Sequence, residues 1–143
     1  MTATIPKSHL DLLLNPIDAV LTTLMPDGQP QMSIVWADYD GQYVLINTTL
    51  ERQKGKNMVA NPRVNVLIVD PKNASRYLEV RGEVTEITQE GAIAHADKQT
   101  KAYSKGTQKR FYGDINPEEQ REKETEVLVK IDPRKITTNA FFS

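Results

Sequence analysis

Three β-rich runs separated by short turns dominate the first half of the chain. They lie in DAVLTTLMPDGQPQMSIVWADYDGQYVLINTT, residues 18–49, and the turns between them contain PDG and DG. Proline presets the backbone of a turn, and glycine supplies the positive φ that tight hairpin turns need. Runs rich in β-branched and aromatic residues between such turns are typical of strands. This pattern predicts a β-meander.

The sequence after this meander predicts further strands. RVNVLIVD is a short apolar run typical of a buried strand, RYLEVRGEVTEITQ alternates over residues 76–89, and TEVLVKIDPRKITTNAF carries the last β-rich run. Gly82 interrupts the alternating strand and indicates a bulge or a bend. Together with the meander, these runs predict about five to seven strands.

Helices are predicted in the segments between the strands and at the N-terminus. The candidates are HLDLLL, KNMVANP and EGAIAHADKQTKAYSKG, with a short helix or loop in NPEEQREKETE. In the first candidate, Ser8 is expected to cap the helix. The residues expected to share its apolar face are Leu10, Leu13 and Leu14. The second candidate is expected to end before Pro62, because the residue before a proline is pushed out of the helical region.

These elements predict a mainly β fold, a small β-barrel with helices inserted between its strands. The chain has 143 residues, which is enough for one hydrophobic core without disulfides or a structural metal. Residues 1–143 are therefore expected to form a single domain.

The charge and the cysteine content argue against several classes of protein. The formal net charge is -1, which gives no general positive field for nucleic acid or anionic lipid. Cysteine is absent, so the chain has no thiol nucleophile, thiolate metal site or disulfide. No run approaches the roughly 20 apolar residues that span a bilayer, and the N-terminus lacks a signal-peptide pattern. We expect a soluble, cytoplasmic protein without nucleic-acid or membrane partners.

The side chains offer little catalytic chemistry of their own. His9 and His95 are the only histidines and lie on separate predicted helices, without the carboxylate spacing of a helical metal site. Glu118 and Glu119 belong to a charge-rich run typical of a solvated surface. The sequence contains no glycine-rich or Walker-type nucleotide loop. If the protein is an enzyme, a bound cofactor is expected to carry the chemistry.

A basic cluster follows the third β-rich run. Arg52, Lys54 and Lys56 alternate, so in an extended segment they would line one side, and a helix beginning near Lys56 would add unpaired N–H groups. Such a group suits a phosphate, and it equally describes a solvated basic turn. Trp36, the sole tryptophan, also has two interpretations, as a core or interface residue or as a cofactor contact.

Residues 29–70 resemble the flavin/deazaflavin oxidoreductase superfamily with the pyridoxamine phosphate oxidase-like split β-barrel, also called the FMN-binding split β-barrel. The similarity is greatest to its F-420-dependent branch. The pattern is a strand ending in Thr or Ser, then R-x-K-x-[RK]-N-[LM] and a closing N-P-R-V; here it reads TTLERQKGKNMVANPRV. The resemblance weakly extends to RYLEVRGEVTEI and to the last strand. The chain lacks the arginine-bearing C-terminal motif of true pyridoxamine phosphate oxidases, which argues against that particular activity.

The resemblance implies roles for particular residues. Arg52, Lys54 and Lys56 would hold the cofactor phosphate, and Thr48 and Thr49 would meet its ribityl or phosphate oxygens. The strand that would face the ring is Met32, Ser33, Ile34, Val35 and Trp36. No catalytic side chain and no metal ligand is implied, because hydride transfer needs orientation and exclusion of water more than a protein base.

The resemblance also implies a homodimer, with the cofactor in a cleft between the subunits. Arg76 and Tyr77 would then approach the cofactor from the second chain. A symmetric partner is also expected on physical grounds, because a split barrel of this size leaves apolar sheet surface to cover.

Three functions stay open at this point. The first is hydride transfer from reduced coenzyme F-420 to a conjugated, small-molecule acceptor. The second is an FMN-dependent flavin reductase or oxidase, and the third is a non-catalytic carrier of flavin, deazaflavin or haem. Coenzyme F-420 has an anionic tail beyond its phosphate, and basic residues available for it are Arg63, Lys72, Arg76 and Arg81.

Overall fold

The computed structural model of the protein describes residues 2–139, and its strands form a closed antiparallel barrel. The strands are β1 (Asp18–Leu24), β2 (Pro30–Tyr39), β3 (Val44–Thr49), β4 (Arg63–Val69), β5 (Tyr77–Thr88) and β6 (Glu126–Thr138). Around the barrel they follow the order β1-β2-β3-β6-β5-β4, and β4 pairs with β1 to close it. The predicted mainly β fold and the β-meander are confirmed. Ala140 and Phe141, at the end of the predicted last strand, lie outside the described residues.

The helices lie between strands or at the N-terminus, as predicted. They are α1 (Asp11–Leu14), α2 (Gln53–Ala60) and α3 (Ala92–Tyr103). Short 3-10 turns occupy Lys7–His9 and Glu118–Glu122, and an irregular turn occupies Phe111–Ile115. Within residues 2–139, no helix combines the length and the apolarity needed to cross a membrane.

The first helix is shorter than predicted, and the leucines that it buries against the barrel differ from the predicted set. Leu12 and Leu13 are buried, whereas Leu14 is 55% exposed. Ser8 does not cap the helix, because its hydroxyl is hydrogen-bonded to the Nδ1 atom of His9. A helix of a single turn is too short to form a periodic apolar stripe, so packing against the barrel decides which leucines are buried.

The core fills the barrel interior, and a smaller cluster lies outside it. Alternate residues of the strands point inward; those with no exposed surface include Leu21, Ile46, Val66, Ile68, Val80 and Ile131. Leu45 and Leu128 point outward from β3 and β6 and pack against Ala92 of α3. Helix α3 is thereby fixed on the outer face of β3.

Gly82 lies at an irregularity of β5, as predicted. The pairing register between β5 and β6 shifts between Arg81 and Gly82. A Cβ atom on Gly82 would lie 2.6 Å from the Cγ2 atom of Ile131 and 2.8 Å from the carbonyl oxygen of Asp132. Glycine is therefore required here by close approach of the neighbouring strand.

Candidate functional site

A cavity of about 230 Å³ lies beside strands β2 and β3, where the start of α2, helix α3 and the turn near residue 111 meet. The predicted site residues that line it are Ile34, Val35, Trp36, Thr48, Thr49, Arg52 and Lys54. The structure therefore brings together members of all three predicted groups: the ring-facing strand, the threonine pair and the basic cluster.

The basic cluster is arranged differently from the prediction. Helix α2 begins at Gln53, with Arg52 as its N-cap residue, so the prediction of a helix beginning near Lys56 is wrong. Residues two apart on an α-helix point about 200° apart, and the cluster does not line one side. Lys54 lines the cavity, whereas Lys56 is exposed and is not one of the described residues that line it. A phosphate contact from Lys56 stays a prediction.

Two buried residues hold α2 in place. A Cβ atom on Gly55 would collide with the carbonyl oxygen of Thr49, so only glycine allows the helix to approach β3 this closely. Asn57 donates a 3.0 Å hydrogen bond to the Thr23 hydroxyl of β1. Because both contacts fix the helix against the barrel, they also fix the position of Lys54.

Lys54 is a half-buried cation at the cavity wall. Its ammonium donates a 3.1 Å hydrogen bond to the hydroxyl oxygen of Ser33. Burial, assisted by repulsion from Arg52, lowers the pKa of Lys54. Among residues 2–139, no carboxylate forms an ion pair with Lys54. A cation without a protein counter-ion is suited to an anionic ligand.

Thr48 and Thr49 have polar atoms without partners. Their side chains are 4% and 2% exposed, and their Oγ1 atoms form no hydrogen bond with the described part of the chain. A buried hydroxyl without a partner is costly, at about 1–3 kcal/mol. Both residues line the cavity, but their Oγ1 atoms have almost no exposed surface, so a ligand would reach these oxygens only if the threonine side chains turned toward it.

Trp36 forms the aromatic wall of the cavity. Its ring stacks on Tyr103 with centroids 4.9 Å apart and meets Phe111 edge-on at 6.4 Å. The Tyr103 hydroxyl accepts a hydrogen bond from the backbone N–H of Ala37 and donates one to the carbonyl oxygen of Ile17. Burial raises the pKa of Tyr103 to about 12, so this tyrosine stays a neutral, fixed support for Trp36.

A polar network lies behind Asn47, which also lines the cavity. The two ring nitrogens of His95 lie 2.7 Å from Asn47 Oδ1 and 2.9 Å from Asp38 Oδ2. The Asn47 amide donates to the carbonyl oxygen of Ala92, and Lys98 donates to Asp38. These bonds fix the orientation of the Asn47 side chain at the cavity.

A carboxyl group also faces the cavity. Glu126 begins β6, is 7% exposed and lines the cavity. Burial, with repulsion from Glu124, raises the pKa of Glu126 to about 7. Tyr112 connects the two carboxylates, with its hydroxyl 2.7 Å from Glu124 Oε1 and 3.4 Å from Glu126 Oε2.

Two of the predicted ring-facing residues lie outside the cavity lining. Met32 is 67% exposed on β2. Ser33 is connected to the cavity through its hydrogen bond with Lys54. Both lie on the same strand as Ile34 and Trp36, which line the cavity, and contact of this strand with a cofactor ring stays a prediction.

The two residues predicted to come from a second chain also lie outside the cavity of their own chain. Arg76 forms ion pairs with Asp11 and Asp70. Tyr77 begins β5 and is half-buried. Their contribution across a subunit interface stays a prediction.

The prediction from sequence missed the rest of the lining: Asn47, Ala96, Phe111, Ile115, Asn116 and Glu126. Asn47 directly precedes Thr48 in the sequence, and this adjacency was an available signal. Glu126 follows a run of charged residues that is typical of a solvated surface. Its burial depends on pairing with Thr49 of β3, which is a long-range contact. Within residues 2–139, no group of three or more histidine, cysteine, aspartate or glutamate side chains could hold a metal ion.

Comparison with known proteins identifies the family. The sequence profile described as pyridoxamine 5'-phosphate oxidase matches residues 5–140. The chain belongs to this family.

Curated relatives match part of the chain. A pyridoxine/pyridoxamine 5'-phosphate oxidase of Rhodopseudomonas palustris is 32% identical over 82 residues, which is 57% of this chain and 38% of the relative. The match thus spans little more than a third of the length of these relatives.

Solved structures match nearly the whole chain. An F420 reductase has a TM-score of 0.78 and 32% identity, with 93% of this chain and 98% of the other covered. A conserved hypothetical protein of Mycobacterium tuberculosis has a TM-score of 0.68 at 22% identity, with 96% and 85% covered, and this likeness shows the fold alone. The family and the first of these structures support a flavin- or deazaflavin-related oxidoreductase.

Proposed function

We propose that the protein is a cytoplasmic oxidoreductase that transfers a hydride from reduced coenzyme F-420 to a conjugated organic acceptor. The observation that carries this proposal is the half-buried Lys54 ammonium, which lines the cavity without an ion-pair partner among the described residues and lies near the buried Thr48 and Thr49 hydroxyls. Such a set of donors fits the phosphate and ribityl oxygens of a flavin-type cofactor.

Each group at the cavity has a part in this proposal. Lys54 and Arg52 would neutralise the phosphate, and the threonine hydroxyls would bind its oxygens or those of the ribityl chain. Trp36, held by Tyr103, would present an apolar wall to the ring and exclude water from one side. Bound coenzyme F-420, when reduced, supplies a hydride. The side chains bind and orient, which is the main requirement of a hydride transfer.

The choice of coenzyme F-420 is supported by the F420 reductase structure, which matches at 32% identity over 98% of its length. FMN is the second candidate, supported by the oxidase family to which the chain belongs. In that case the protein would be a flavin reductase or oxidase with the same phosphate contacts.

We also propose that the protein is a homodimer whose second subunit completes the site. Met32 and Ile34 are 67% and 62% exposed on β2, so an apolar face lies at the edge of the cavity. A partner would remove these side chains from water. The cavity volume of about 230 Å³ is also smaller than the ~300–1,000 Å³ of usual ligand pockets. Sedimentation of the cofactor-loaded protein should give a dimer at micromolar concentration, and a monomer would contradict this proposal.

Fluorescence titration with FMN and with coenzyme F-420 at matched concentrations tests the cofactor. We expect saturable binding of F-420 that is tighter than that of FMN. Binding of FMN alone would assign the second candidate function. Absence of binding by either cofactor would contradict the proposal as a whole.

Reoxidation of the reduced cofactor tests the reaction. Quinones, nitro compounds and tetrapyrroles provide a panel of conjugated acceptors, and we expect an acceptor-dependent rate with at least one of them. A cofactor that binds but is reoxidised at the same rate with and without each acceptor would indicate a carrier instead of an enzyme.

A further inference from the structure

We infer that Glu126 takes up a proton when an anionic cofactor binds in this cavity, so that cofactor binding is coupled to the protonation of this carboxyl group. The inference rests on the proposed function, because it assumes that the cofactor phosphate is held by the groups around Lys54. It assigns Glu126 a role in cofactor binding and predicts that cofactor affinity depends on pH. Neither follows from the family or from the basic cluster.

The position of Glu126 is unusual for an anion site. Strand pairing places it directly opposite Thr49, and it lines the same cavity as Thr48, Arg52 and Lys54. The Lys54 ammonium, which forms no ion pair with any described carboxylate, is independent evidence that an anionic ligand belongs here. A phosphate in this cavity and an ionised Glu126 would repel each other at short range in a poorly solvated site. A bound phosphate therefore disfavours the ionised form of Glu126.

The Tyr112 hydroxyl contacts both Glu124 and Glu126. A phenol has one proton to donate. The Tyr112 hydroxyl lies 2.7 Å from Glu124 Oε1 and 3.4 Å from Glu126 Oε2, so its proton goes to Glu124. The Tyr112 oxygen is then an acceptor toward Glu126. A protonated Glu126 can donate to this oxygen, whereas an ionised Glu126 gains only a weak interaction with the Tyr112 hydroxyl at 3.4 Å.

The charged groups around Glu126 make it sensitive to a bound anion. Glu124 repels it, Arg52 attracts it, and Lys54 lines the same cavity. Burial is the largest influence and raises the pKa of Glu126 to about 7, so the carboxyl group titrates near neutral pH. A phosphate that binds Arg52 and Lys54 offsets their attraction for an ionised Glu126. It also adds a negative charge that repels the carboxylate. Both changes favour the protonated carboxyl.

Linkage then requires the reciprocal effect. If bound phosphate favours protonation, protonation favours phosphate binding by the same factor. Cofactor affinity should therefore decrease as Glu126 ionises, which happens as the pH rises through the neutral range. Lys54 has a lowered pKa and could also contribute to such a loss, and Glu126→Gln, which keeps both cations, measures that contribution.

Titration calorimetry of the 143-residue protein measures the coupling directly. Binding of F-420 or FMN is measured at about pH 7.5 in two buffers that differ in ionisation enthalpy, and the difference gives the number of protons taken up. We expect the wild type to take up about half to three-quarters of a proton per cofactor, because Glu126 is already partly protonated at this pH. Glu126→Gln should take up almost none, because the amide is neutral at every pH.

Affinity at two pH values gives a second readout. Between about pH 7 and pH 8.5, wild-type affinity should fall by several-fold, whereas Glu126→Gln should bind equally well at both. Glu119→Gln is the matched control, since it makes the same change at an exposed position of the turn Glu118–Glu122 and should behave as the wild type. Glu126→Ala also places a neutral side chain here and should likewise bind equally well at both pH values, so it replaces Glu126→Gln if that variant folds poorly.

The outcomes separate this inference from the proposed function. Cofactor binding without proton uptake by the wild type, or with the same uptake in both Glu126 variants, would overturn the inference and leave the proposed function intact. No binding of either cofactor by the wild type would overturn both.

Discussion

The Lys54 ammonium lies 3.1 Å from the hydroxyl oxygen of Ser33, and this hydrogen bond joins helix α2 to strand β2 at the wall of the cavity. A lysine on a surface would be free to sample many rotamers. Here the ammonium is half-buried, is oriented by a neutral partner, and forms no ion pair with a carboxylate of the described residues. Because the ammonium is already positioned, the Lys54 side chain loses less conformational entropy when a phosphate binds.

Replacement of Lys54 should weaken cofactor binding strongly. A hydrogen bond to a charged group contributes about 1.5–3 kcal/mol. Lys54→Ala should therefore raise the Kd of the cofactor by about tenfold or more, as measured by fluorescence titration. Lys101→Ala is the matched control, because it removes the same charge from an exposed position of α3 that does not line the cavity. Equal affinities of the two variants would contradict the assignment of Lys54 to the phosphate.

Thr48→Val should weaken cofactor binding without reducing the stability of the protein. The variant removes a buried hydroxyl that has no protein partner, so unfolding by urea should give a free energy equal to the wild-type value or about 1 kcal/mol higher. Cofactor binding should weaken by several-fold, because a neutral hydrogen bond is worth about 0.5–1.5 kcal/mol. Thr22→Val on β1 is a comparison outside the cavity and should leave the affinity unchanged. A loss of stability together with unchanged affinity would refute a ligand role for Thr48.

Gly55→Ala should damage both the fold and the site. The added methyl group would collide with the carbonyl oxygen of Thr49, which is backbone and cannot turn away. Overpacking of this kind costs about 1–3 kcal/mol, even though alanine is favoured over glycine in an exposed helix. Thermal unfolding should occur at a lower temperature, and cofactor affinity should fall because α2 carries Lys54. Unchanged stability would mean that the helix can move away from β3 without cost.

Asp38→Asn should destabilise the protein at neutral pH. Burial by itself would raise the pKa of Asp38, but hydrogen bonds from His95, Lys98 and the backbone of Tyr39 outweigh it and hold the pKa well below its usual range. Loss of the charge should cost about 1.5–3 kcal/mol in urea unfolding at pH 7. Lys98→Ala removes an exposed partner and should cost less than about 1 kcal/mol.

The pH dependence of the Asp38 effect follows from the sign of the shift. A carboxylate with a lowered pKa stabilises the fold at pH values above its unfolded pKa of about 4. This stabilisation is lost as the pH falls through the lower pKa of the folded state. The difference between wild type and Asp38→Asn should therefore be constant near neutral pH and shrink on acidification. A difference that grows with acid would contradict an ionised Asp38 in the folded protein.

The strands were predictable because each carries its own signal. Residues 18–49 combine β-rich runs with turn residues, and Gly82 marks the irregularity of β5 within the sequence itself. The start of α2 was not predictable in this way. A glycine at position 55 argues against a helix interior, and its reason lies in the backbone of Thr49, which approaches it only in the folded chain.

The site was predictable where neighbouring residues share a function and unpredictable where distant segments meet. Thr48, Thr49 and Lys54 lie within one short segment with a recognisable motif. Glu126 pairs with Thr49 across 77 positions (126 − 49 = 77), and nothing in its own neighbourhood distinguishes it from a surface glutamate. A group whose role depends on such a pairing is visible only once the barrel is closed.

The stack between Trp36 and Tyr103 also has a practical consequence. The chain contains a single tryptophan, and that indole is part of the cavity wall. All of the tryptophan emission of the protein therefore originates beside the cofactor site, and a bound flavin or deazaflavin would quench it by energy transfer. The molecule carries its own spectroscopic reporter of occupancy, which needs no label and no engineered chromophore.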